Sequence, residues 1–209
     1  MRLFPPYPFP ASFPAMLKHL PNGLTLLRLI LAPFVAWAVW ESYAEPTGPW
    51  AIIAAALFIA AALTDLLDGM AARMLRAESK FGRVIDPIAD KALVGLPLIA
   101  LSVAGLQGQW LLAPVIAICT GIIVLRDILI TFLRLTAKDG EGAKVSQLAK
   151  WKTAIELIAV GLPILFLAAA IDVTASAALT YTWLALLAIA AVLSVITAIQ
   201  YFAKKPAQA

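Results

Sequence analysis

Six long apolar runs separated by polar stretches dominate the chain, at residues 24–40, 50–67, 88–106, 110–133, 153–171 and 175–202. Each is close to the ~20 mostly apolar residues that an α-helix needs to cross a hydrocarbon core of roughly 30 Å. The pattern predicts an all-α integral membrane protein with six transmembrane helices. The connections alternate between long polar loops and short, nearly neutral ones. Ahead of the first run, residues 1–20 carry five of the 14 prolines and the aromatic residues Phe4, Tyr7, Phe9 and Phe13. This segment lacks the unbroken apolar core and small-residue cleavage site of a signal peptide. It reads as an interfacial arm, with a short turn at 15–20, preceding a single six-helix domain at 21–205.

Composition agrees with this reading. The chain of 209 residues is 63% apolar and only 13% charged, with a mean hydropathy of +0.93. Ordinary soluble domains are nearer half apolar and a quarter charged. A net charge of +4 on a soluble surface would suggest nucleic acid, but in a membrane protein it reports orientation, and no nucleic-acid partner is expected. The short connections after the first, third and fifth runs contain Glu41, Glu45 and Asp172 and no Lys or Arg, so all 16 basic residues fall at the other side. Basic loops stay in the cytoplasm, which places both termini and the two long loops there. Topology and attraction to anionic lipid account for many of these residues without further function. Cys119 is the single cysteine, which rules out an intrachain disulfide and leaves a small packing residue.

Candidate chemistry enters with the acidic residues. Ionisable groups near membrane helices are costly and are functional candidates by default. Asp65 and Asp68 stand at i and i+3 on one helical face, with Gly69 beside them and Ala72 one turn on. Small residues there let a ligand approach the backbone. Asp86 and Asp90 stand at i and i+4 across the expected start of the third helix, where Pro87 suits a first turn and Asp86 an N-cap. Four converging carboxylates would repel one another unless protonated or bridged by cations. Oxygen-only donors favour a hard cation such as Mg²⁺ or Mn²⁺ over zinc, and two such ions could clamp a phosphate from both sides. The bland alternative is a set of caps and ion pairs with Arg73, Arg83 and Lys91. A cation-transport path is a further alternative, but it calls for acids spread through the bilayer depth, and these four lie at one end.

The eight residues Asp65, Asp68, Gly69, Ala72, Arg73, Gly82, Asp86 and Asp90, at the spacing DxxDGxxAR-x₈-GxxxDxxxD, resemble the signature of the CDP-alcohol phosphotransferases. The resemblance implies a six-helix fold, a homodimer, a cytosol-facing active-site cavity and two divalent cations, Mg²⁺ or Mn²⁺. It implies that Asp65, Asp68, Asp86 and Asp90 bind metal and that Asp90 also serves as catalytic base. Asp65, Gly69, Ala72, Arg73 and Gly82 would hold the CDP portion. Further likeness runs through Pro21–Arg28, Asp86–Lys91, Arg126–Ile130 with Arg134, and 145–153. It points to the bacterial branch of the family that joins CDP-diacylglycerol to sn-glycerol 3-phosphate in the inner membrane. Two positions depart from that branch: Asp127, where Glu is usual, and Glu156, where Gln is expected.

A phosphorylated acceptor requires cations that a neutral alcohol does not. Arg126, deep in the fourth run, is the first candidate, followed by Arg134, Lys150 and Lys152. Arg can grip phosphate bidentately, whereas Lys acts as a point charge. A structural pair with Asp127 or another acid is the alternative for Arg126. Interfacial anchoring is the alternative for Lys150 and Lys152.

Overall fold

The computed structural model describes residues 20–75, 80–136, 147–171 and 176–204. Among them the chain forms six α-helices and no strand: α1 (Leu20–Ala44), α2 (Trp50–Leu75), α3 (Lys80–Gln107), α4 (Ala113–Thr136), α5 (Gln147–Ala168) and α6 (Ala177–Lys204). Five carry spans long and apolar enough to cross a membrane, and α2 carries the shorter apolar run Trp50–Asp65. The protein is therefore a helical membrane protein. Residues 1–19, which include most of the expected interfacial arm, lie outside the described residues, while Leu20 opens α1. Pro21, in the first turn of α1, gives up an N–H that has no partner there anyway.

The helices run beyond their apolar stretches at the polar end. Helix α2 continues through Ala71, Ala72, Arg73, Met74 and Leu75, all strong helix formers, and α3 begins at Lys80, well ahead of the apolar run. This corrects the expected start of the third helix. Asp86 is an interior residue rather than an N-cap, and Pro87 lies inside the helix, not in its first turn. The apolar run marks where the bilayer begins, whereas the helix is set by backbone preference, and these two boundaries differ. Pro87 deletes only one intrahelical N–H bond.

The helices close into a ring in the order α1, α2, α5, α6, α4, α3 and back to α1. Long-range contacts set their directions. Thr25 meets Asp86 and Arg28 meets Asp90, so α1 and α3 run parallel. Lys91 meets Asp127 and Ser102 meets Thr120, so α3 and α4 run antiparallel. Buried alanines at 32, 38, 54, 61, 159 and 190 let backbones approach closely, the usual means of packing helices in lipid. Gly161 on α5 does the same against α2, since a Cβ there would meet the Phe58 ring at 2.8 Å. Trp183 is fully buried and its indole N–H donates to the Ala159 carbonyl at 2.9 Å. Many exposed Leu, Ile, Val and Phe side chains cover the outside of α4 and α6, as a lipid-facing surface requires.

The two ends of the ring differ. Ion pairs gather where α1, α3 and α5 start and α2, α4 and α6 finish. At the opposite end Trp37 packs edge-on against Trp50, and Tyr43 against Trp110, a composition suited to a membrane–water interface. A cavity of about 280 Å³ at that end is lined by Trp40, Tyr43, Trp110, Gln107 and neighbouring small residues. Its described lining carries no Asp, Glu, Lys, Arg or His, and it lies a bundle length from the aspartate cluster.

Candidate active site

One face of α1 organises the acidic cluster. Thr25 and Arg28, three residues apart, both face α3. The Thr25 hydroxyl donates to Asp86 Oδ1 at 2.6 Å. A single guanidinium nitrogen of Arg28 lies 2.8 Å from Asp65 Oδ1 on α2 and 2.5 Å from Asp90 Oδ1 on α3. Arg28 is 1% exposed, whereas the side chains of Asp65 and Asp90 are 56% and 41% exposed. A buried cation thus draws two open carboxylates from separate helices toward one point. Helix α2 carries Asp68, Gly69, Ala72 and Arg73 along the same stretch, but their side chains lie outside the described residues. Gly82 is buried on α3.

A second cluster joins α3, α4, α5 and α6. Asp127 on α4 is its hub. Its Oδ1 accepts from Arg126 at 2.8 Å and from Lys152 on α5 at 2.7 Å, while Oδ2 lies 3.0 Å from the Lys91 ammonium on α3. Lys152 also bonds Glu156 one turn along α5 at 2.6 Å. Two hydroxyls of α6 complete the set: Ser194 donates to Glu156 at 3.1 Å, and Thr197 accepts from the second terminal nitrogen of Arg126 at 2.8 Å. Asp127, Lys152 and Glu156 are buried. Burying such charges is expensive unless every one is paired, and here each carboxylate meets more than one donor.

The structure therefore brings Asp65, Asp86 and Asp90 together around α1, and Arg126 and Lys152 together around Asp127. Arg134 stands apart. It lies two turns beyond Arg126 on α4, about 12 Å along the axis, exposed, with its guanidinium 5.9 Å from the centre of the Tyr201 ring. The Lys150 side chain is outside the described residues. Sequence reasoning missed Thr25 and Arg28 as partners of the aspartates, and Ser194 and Thr197 altogether. The available signal was an ionisable group inside an apolar run, which demands a partner. Arg28, Asp127 and Glu156 all meet that description.

Comparison with known proteins decides the family. The CDP-alcohol phosphatidyltransferase family model matches residues 18–199. The chain belongs to that family. A CDP-diacylglycerol–glycerol-3-phosphate 3-phosphatidyltransferase of Cereibacter sphaeroides is 41% identical over 155 residues, covering 73% of this chain and 65% of the relative. A probable phosphatidylglycerophosphate synthase of Mycobacterium tuberculosis is 33% identical over 190 residues, covering 91% and 83%. A cardiolipin synthase (CMP-forming) of Oryza sativa subsp. japonica is 34% identical over 203 residues, covering 93% and 60%.

The family's chemistry uses a divalent metal, and the acidic cluster fits one. Its donors are carboxylate oxygens, as a hard cation prefers. Asp65 and Asp90 keep much of their surface open, and Asp86 is exposed. Three carboxylates against the one guanidinium of Arg28 leave net negative charge. Among the described residues, no three His, Cys, Asp or Glu side chains are grouped so as to hold a metal ion in this arrangement. Thr25 and Arg28 bond one oxygen, Oδ1, of each of the three aspartates.

Proposed function

We propose that this protein transfers the phosphatidyl group of CDP-diacylglycerol to sn-glycerol 3-phosphate, giving phosphatidylglycerophosphate and CMP. The carrying observation is the pair Arg126 and Lys152, converging on Asp127 beside the helix that bears Asp90. A neutral acceptor would have no use for such cations, and the names of the bacterial relatives agree. In this reading Asp65, Asp68, Asp86 and Asp90 hold two divalent cations, Mg²⁺ or Mn²⁺. Asp65, Gly69, Ala72, Arg73 and Gly82 hold the CDP group. When bound, the cations would offset charge on the diphosphate.

The residues divide the remaining work. Asp90 accepts the proton of the glycerol C1 hydroxyl as that oxygen attacks the phosphorus carrying diacylglycerol. The new P–O bond forms as the bond to CMP breaks, and CMP departs with the electron pair. Arg28 holds Asp65 and Asp90 in register, so little reorganisation is needed at the moment of transfer. Arg126 and Lys152, with the exposed Arg134 and with Lys150, attract and orient the acceptor's phosphate.

All six helices span the bilayer in this account, including α2 with its shorter apolar run. The polar end, with the active site it carries, and both termini face the cytoplasm of a bacterial cell, where sn-glycerol 3-phosphate enters and CMP leaves. The basic bias of that end supports the orientation. The protein works as a homodimer, with residues 1–20 as an interfacial arm and 21–205 as the catalytic domain. A second reading, the same transfer to phosphatidylglycerol, is favoured by the likeness to the rice cardiolipin synthase. Purified protein supplied with CDP-diacylglycerol, Mg²⁺ and each acceptor in turn separates the two. Phosphatidylglycerophosphate is the expected product, and a preference for phosphatidylglycerol would overturn the assignment.

A further inference from the structure

Lys91 directly follows Asp90 on α3, yet its ammonium belongs to the other cluster, 3.0 Å from Asp127 and 4.0 Å from Glu156. The three cations around Asp127 differ in how committed they are. Lys152 is 1% exposed and bonds both carboxylates at 2.7 Å or less. Arg126 is 11% exposed and spans Asp127 and Thr197. Lys91 is 23% exposed, and the Glu156 oxygen nearest it, Oε2, accepts no hydrogen bond. Lys91 is thus the most open and most loosely held of the three. The cluster sets three cations, Lys91, Arg126 and Lys152, against two carboxylates, Asp127 and Glu156. A surplus positive charge in a poorly solvated bundle favours an incoming anion.

We propose that Lys91 is a direct ligand of the acceptor's phosphate, held by Asp127 until substrate arrives and then turned onto the phosphate. This rests on the acceptor being sn-glycerol 3-phosphate. That molecule carries its phosphate and its attacking hydroxyl at opposite ends of three carbons. Successive helical residues have Cα atoms 3.8 Å apart and point ~100° apart around the axis. Asp90 and Lys91 can therefore take the two ends of one small acceptor, base to hydroxyl and ammonium to phosphate. Asp127 and Glu156 act as positioning residues that keep the ammonium ready.

Steady-state kinetics on the purified full chain test the proposal. Lys91→Gln is expected to raise KM for sn-glycerol 3-phosphate about tenfold or more, the scale of a lost charge-assisted hydrogen bond, with KM for CDP-diacylglycerol within about twofold. Lys91→Arg should recover most of the loss. Should Lys91→Gln not fold, labelling of the wild-type protein with an amine-reactive reagent gives an independent readout. Saturating sn-glycerol 3-phosphate should slow modification of Lys91, read by mass spectrometry. An unchanged acceptor KM, equal effects on both substrates, or unprotected Lys91 would overturn the role. Wild-type protein that turns over no sn-glycerol 3-phosphate would instead remove the underlying assignment, and this inference with it.

Discussion

The two polar clusters are built on opposite plans. Around α1, the cation is in the minority and is buried: Arg28 is 1% exposed beneath the open carboxylates of Asp65 and Asp90. Around α4, the carboxylates are in the minority and buried, with Asp127 and Glu156 beneath Lys91 and Arg126, while Lys152 lies buried among them. In each, the minority charge serves as an internal template, and the majority charge opens outward at Asp65 and Asp90 in the first cluster and at Lys91 in the second. Under the proposed function, one cluster takes the cations and the diphosphate they accompany, and the other the phosphate of the acceptor. The two meet at consecutive residues, Asp90 and Lys91. A site for joining two anionic substrates needs such a division, because one set of charges could not serve both roles.

Substitutions can break this comparison. The largest effect is expected for Asp90→Asn, which should cut turnover by about 10²–10⁴-fold while CDP-diacylglycerol still binds; substantial activity would remove Asp90 as base. Asp127→Asn leaves three cations against one carboxylate and should cost about 3–5 kcal/mol of stability, seen as a lowered Tm in detergent. Its counterpart, Arg28→Gln, should lower the Tm of metal-free protein and let added Mn²⁺ restore it, since the cation takes over the guanidinium's task. Failure of Mn²⁺ to restore stability would mean that Arg28 does not stand where a metal can. Smallest is Thr197→Val, which frees one Arg126 nitrogen and should raise KM for sn-glycerol 3-phosphate about fivefold, roughly 1 kcal/mol. Thr197→Ser should behave like wild type.

The acidic cluster was legible because its members are local. Asp65 and Asp68 share one helix, Asp86 and Asp90 another, and helical periodicity puts each pair together without knowledge of the fold. The helices themselves were legible from apolar runs, although their ends were not. Polar residues such as Arg73 and Lys80 sustain a helix as well as apolar ones do, so α2 and α3 reach past the runs and Asp86 falls inside α3. What could not be read was pairing across the ring. Arg28 and Asp90 are 62 positions apart, and Arg126 and Thr197 are 71 apart. No periodicity links such residues; only the closure of six helices does. The pairing of Arg126 with its neighbour Asp127 was readable, but that Lys152 and Lys91 join the same acid from other helices was not.

Separate binding of the two substrates tests the division of labour most directly. Asp90→Asn protein, in detergent with Mn²⁺, can be titrated calorimetrically with CDP-diacylglycerol and with sn-glycerol 3-phosphate, before and after adding Arg126→Ala. Arg126→Ala is expected to weaken binding of sn-glycerol 3-phosphate by at least about tenfold and to leave that of CDP-diacylglycerol unchanged. Parallel loss of both would show one undivided site and contradict the account.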